Sequence, residues 1–178
     1  MSANQKGCCC CSGTSDCCAP KEQGEKRIII DFLYLDLSVC TRCQGTDSVL
    51  EEAVAEVSQV LGAAGYDVIV NKININTRAL AVKHRFVSSP TIRVDGRDID
   101  TDIKETLCES CGDLCGDSVD CRVWTYQGKE YTVPPKAMIV DALLRAAYSP
   151  KEPIGNDEYN LPPNLARFFD AMENKKEG

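Results

Sequence analysis

The sequence predicts one mixed α/β domain of order β-α-β-α-β-β-α, with a cysteine-rich insertion and a tail at each end. Three observations predict it. Apolar runs of strand character alternate with stripes of helical period from residue 27 onward. Four cysteines fall together in a loop-like stretch that interrupts this order. The chain has 178 residues, 43% of them hydrophobic, which is enough for one core without disulfide staples.

Residues 1–26 (MSANQKGCCCCSGTSDCCAPKEQGEK) show no periodicity and almost no branched apolar residue, so they read as a flexible tail. Residues 27–37 (RIIIDFLYLDL) are apolar, β-branched and aromatic, as suits a first strand buried on both faces. After a polar turn at 38–43, Val49, Leu50, Ala53, Val54, Val57, Val60 and Leu61 recur at helical spacing, and Gly62 and Gly65 end that helix. Residues 66–73 form a second strand, and Leu80, Val82 and Phe86 mark a shorter helix broken by Ser88-Ser89-Pro90. Asp95-Gly96 makes a tight hairpin between 91–94 and 97–99, and Gln127-Gly128 makes another within 122–133. Pro134-Pro135 opens a helix with Met138, Ile139, Ala142, Leu143 and Ala146 on one stripe. The domain is expected over 27–148, with its cysteine-rich insertion at 105–121. Residues 149–178 are expected to form a linker and a short helix at 164–172 that folds back through Phe168 and Phe169, onto the core or over Cys40 as a lid.

Acidic residues outnumber basic ones 27 to 20, giving a formal net charge of −7. That balance repels phosphate backbones and anionic lipid, so nucleic acid and membrane surfaces are not expected partners. No apolar run approaches a membrane span, and the first residues lack the apolar core of a signal peptide, so a cytoplasmic location is expected. A reducing compartment turns the 12 cysteines toward thiolate chemistry or metal ligation rather than permanent disulfides. The one histidine, His84, lies between Lys83 and Arg85 and reads as part of a solvated helix face, and no hydrolase triad has material here. Asp95, Asp98, Asp100 and Asp102 alternate and are expected to form a solvated edge.

Cys40-Thr41-Arg42-Cys43 sits between a strand and a long helix. Backbone N–H groups at a helix start stabilise a thiolate, and Arg42 adds a full charge beside it. Cys40 is then the attacking sulfur and Cys43, one turn later, the resolving one; the same spacing also suits half of a zinc site. Ser89-Pro90 would, if cis, bring backbone beside the Cys40 turn and leave an edge for an extended partner. Thr41, Arg42, Ser89 and Pro90 are thus the candidate substrate groove. Cys108, Cys111, Cys115 and Cys121 lie within 14 residues, with Gly112 and Gly116 permitting tight turns, and are the candidate ligands of one tetrahedral ion. Zinc is the plainest occupant, an iron–sulfur cluster the less favoured one, and two disulfides or a redox relay to Cys40 and Cys43 the alternatives. Cys8, Cys9, Cys10, Cys11, Cys17 and Cys18 in the tail could wrap a soft, thiophilic ion, or do nothing specific.

The order β-α-β-α-β-β-α, with C-x-x-C at the first helix and X-Pro before the third strand, resembles the thioredoxin-like superfamily over about residues 27–148. The segments LYLDLSVCTRCQGT, FVSSPTIRVDGRDI, CESCGDLCG and TVPPKAMIVDALL resemble, within it, an uncharacterised family of anaerobic bacteria and archaea, a domain of unknown function. The resemblance implies a three-layer fold with a central mixed sheet, catalytic Cys40 and Cys43, and Pro90 as the cis-proline beside them. Thr41-Arg42 replaces the usual Gly-Pro, and no Trp precedes Cys40. The tail is similar in kind to cysteine-pair metallochaperones, whose cysteine positions differ. The expected function is protein thiol–disulfide exchange by an oxidoreductase with an added four-cysteine metal loop, its partner a protein disulfide or dithiol. The alternative is binding and trafficking of a soft metal or metalloid ion without redox turnover. No nucleotide or organic cofactor is expected.

Overall fold

A computed structural model describes residues 26–149 and 158–177. The cysteines of the tail, Cys8 to Cys18, lie outside the described residues. The chain runs β1 (Lys26–Tyr34), α1 (Thr41–Ala63), β2 (Tyr66–Asn74), α2 (Arg78–Lys83), β3 (Thr91–Val94) and β4 (Arg97–Asp98). It continues through β5 (Lys104–Leu107), α3 (Glu109–Cys115), β6 (Asp120–Tyr126), β7 (Lys129–Tyr131), α4 (Lys136–Tyr148) and α5 (Pro163–Glu177). Four strands form a mixed sheet in the order β2-β1-β3-β4, with β1 parallel to β2 and antiparallel to β3. The other three form a separate antiparallel sheet, β5-β6-β7.

β1 is central because Ile28, Ile30 and Phe32 alternate inward against Leu50, Ala53, Val57 and Leu61 of α1 and Met138, Ile139 and Leu143 of α4. Burial on both faces holds only at its end, where Leu33 joins a second core. Ile29 is 41% exposed and Asp31 half-buried, so most of the strand has one wet face, unlike the expectation. Gly45 lets the start of α1 approach the chain ahead of α4: a β-carbon there would come within 2.7 Å of a Val133 methyl. Both hairpin turns use left-handed backbone at the expected pairs, Asp95-Gly96 and Gln127-Gly128.

The insertion is ordered. What reads as a loop at 105–121 is a strand, a short helix and the start of another strand. Arg122 ties this second sheet to the first. Its amide donates to the Ser89 carbonyl at 2.7 Å, and its fully buried guanidinium donates to Thr91 Oγ1 at 2.8 Å, to Asp98 Oδ2 at 2.9 Å and to the Asp100 carbonyl, while stacking on Trp124 at 4.7 Å. Asp98 and Asp100 are therefore not a solvated edge. A buried cation draws them inward, and Asp100 Oδ2 also accepts the Thr125 amide at 2.8 Å. α5 folds back as expected, with Phe168 and Phe169 buried against the second core.

Candidate metal centre

That second core holds all six described cysteines, buried and without disulfides, among Leu33, Leu35, Ile75, Phe86, Val119 and Leu165. Local chemistry delivers each sulfur. Asp36 Oδ1 accepts from the Ser38 amide at 2.6 Å, the Ser38 hydroxyl at 2.7 Å and the Val39 amide at 2.8 Å, curling the chain after β1. The curl places Cys40 as N-cap of α1, where its sulfur accepts the Cys43 amide at 3.4 Å. Gln44 braces the turn by donating to the carbonyls of Leu37 and Ser38. Cys108 is the N-cap of α3, held by its amide on the Val119 carbonyl at 2.8 Å, and Cys111 follows within the first turn. Cys121 arrives on β6, opposite Thr106 of β5.

The sulfurs of Cys40, Cys108, Cys111 and Cys121 all lie within 4.8 Å of one another, with Cys111 and Cys121 at 3.3 Å. A tetrahedral zinc with bonds of about 2.3 Å sets its sulfurs about 3.8 Å apart, within this range. A four-iron cluster spreads its thiolates over separate irons, so a set this compact suits a single ion better. Cys40, not Cys115, completes the set. The expected four-cysteine loop differs because residues 109–115 are helical: at about 1.5 Å of rise per residue, Cys115 is carried about 10 Å along the axis from Cys108. Its sulfur faces the Asp117 carbonyl at 3.6 Å and the Gly112 carbonyl at 3.9 Å.

Burial and mutual hydrogen bonding split the thiols. Hydrogen bonds from Cys108, Cys111, Cys121 and Cys43 hold Cys40 far below the usual thiol range. Hydrogen bonding to Cys111 and Cys121 brings Cys108 to about 7. Cys111, through Cys108, and Cys121, through Cys108 and Cys111, are pushed well up, as is Cys43 by Cys40 and by burial. As four thiolates in so apolar a place, the clustered sulfurs would require a cation among them, and a soft divalent ion fits this donor set.

The flanking side chains serve this cluster. Arg42 does not point a free charge at Cys40; its guanidinium donates to the carbonyls of Cys121 at 3.0 Å, Leu107 at 2.9 Å and Thr106 at 3.3 Å. One fork thus binds the start of α1 to both strands of the insertion. Thr41 Oγ1 meets Ser110 Oγ at 3.4 Å. The Ser89-Pro90 bond is cis, and Ser89, turned inward, accepts the Leu35 amide at 3.1 Å and lies 3.4 Å from Cys43 Sγ. Asn164 of α5 bonds both the amide and the carbonyl of Asp120, next to Cys121. Sequence reasoning missed Arg122, Asn164 and the ligand role open to Cys40 within the insertion's set; no local signal links residues so far apart in the chain.

The profile of a domain of unknown function, DUF2703, matches residues 28–143. The chain belongs to that family. The matched stretch runs from β1 into α4 and contains all four clustered cysteines, Cys43 and Cys115, whereas α5 lies outside it. No curated protein and no solved structure matches the chain. Among the described residues, no helix is long and apolar enough to cross a membrane.

Proposed function

We propose that this chain binds one soft metal ion, zinc(II) foremost, through Cys40, Cys108, Cys111 and Cys121. The observation that carries the reading is the convergence of four buried sulfurs from two helix starts and a strand. In it Cys40 is a ligand, and Arg42 holds the three segments that supply the sulfurs. A role in trafficking would use the tail cysteines as a second soft-ion station. Thiol–disulfide exchange by Cys40 and Cys43 is the second reading, favoured by their contact across the first turn of α1. Thr41, Arg42, Ser89 and Pro90 would form its partner groove. It is the weaker of the two because both sulfurs are fully buried, out of reach of a protein disulfide.

The test is metal analysis and thiol counting on anaerobically purified protein, with a disulfide-reduction assay alongside. One zinc per chain that is lost on Cys40→Ser and kept on Cys43→Ser supports the metal reading. Disulfide turnover by protein that keeps its zinc through Cys40→Ser overturns it in favour of exchange.

A further inference from the structure

Cys43 touches the four-sulfur group without belonging to it. Its amide donates to Cys40 Sγ at 3.4 Å, and Cys40, with extended backbone (φ −76°, ψ 104°), turns its sulfur back over the first helical turn. Ser89 fixes the other side of Cys43, its hydroxyl 3.4 Å from the sulfur. The protein thus keeps an uncommitted thiol one helical turn from a ligand, a spacing at which the two can be joined with little backbone movement.

We propose that Cys43 is the release thiol of this site: oxidation by a hydroperoxide joins it to Cys40, which takes Cys40 from the ion and leaves three thiolates to hold it. The inference rests on the metal reading above and adds its regulation. One of the two sulfurs attacks the peroxide oxygen, the O–O bond breaks and hydroxide leaves, giving a sulfenic acid. The second sulfur displaces that hydroxyl and forms the S–S bond. With hydrogen peroxide, a thiolate and a thiol become one disulfide, one water and one hydroxide; the sulfurs together lose two electrons and the peroxide gains them. A small oxidant is required because Cys40 and Cys43 are both fully buried. The competing product, a Cys111–Cys121 disulfide across 3.3 Å, would join two sulfurs that the ion already holds.

The full chain is loaded with zinc and treated with hydrogen peroxide; released zinc is followed with a chromophoric chelator and disulfides are mapped by peptide mass. The wild type is expected to release zinc as a Cys40–Cys43 disulfide appears, and Cys43→Ser to bind the same zinc yet release it roughly tenfold more slowly. Equal release rates, or a map showing only Cys111–Cys121, overturn the proposal. Should Cys43→Ser not fold, the wild-type map decides. A wild type that binds no zinc refutes the metal reading itself, and this proposal with it.

Discussion

Replacing single cysteines by serine separates a four-sulfur set that includes Cys40 from one confined to the insertion. Structural zinc in cysteine sites is worth about 10–16 kcal/mol, so an equal share is about 2.5–4 kcal/mol per thiolate. Cys40→Ser should therefore weaken zinc binding by roughly 10²- to 10³-fold. Cys115→Ser should not: its sulfur is bonded to the Asp117 carbonyl outside the cluster, and exchanging a buried sulfur for a hydroxyl there costs about 1 kcal/mol of stability. The assay is cobalt(II) substitution, in which tetrahedral thiolate coordination gives intense charge-transfer absorption, followed by back-titration with zinc against a chelator. Retention of full affinity by Cys40→Ser, with loss in Cys115→Ser, would refute the assignment and restore the set expected from spacing alone.

Three further outcomes follow from named contacts. Arg42→Met removes a fork that holds three carbonyls around the site and should weaken zinc binding about 10- to 100-fold, read in the same competition titration, with Arg42→Lys failing to restore it. Asp98→Ala leaves the fully buried Arg122 guanidinium without its carboxylate and should cost about 3–5 kcal/mol in denaturant unfolding of the zinc-loaded protein. Lys72 bridges α1 to β2 through Asp47 and Glu51, which raise its pKa above the ordinary lysine value of 10.5. Its contribution is present below that value and is lost as pH rises through the higher folded pKa. Lys72→Met should therefore lower stability by less than about 1 kcal/mol near neutral pH, with the gap to wild type closing in strong alkali.

Local sequence was enough to set the individual elements. Strand and helix periods placed β1, α1, β2 and α4 to within a few residues, and Asp95-Gly96 and Gln127-Gly128 placed both hairpins, because period and turn chemistry act over neighbouring residues. It also marked the site's raw material, the cysteines at 40, 43 and 108–121 and the proline at 90. Which sulfurs meet depended on packing between distant segments. A strand and a short helix took the place of the loop at 105–121, which moved Cys115 away and opened a corner that Cys40 fills from the start of α1. The buried pairing of Arg122 with Asp98, and the separation of β5-β6-β7 from the main sheet, were settled the same way. These contacts join residues distant in the chain, and their energy comes from burial and charge pairing that no window of neighbouring residues contains.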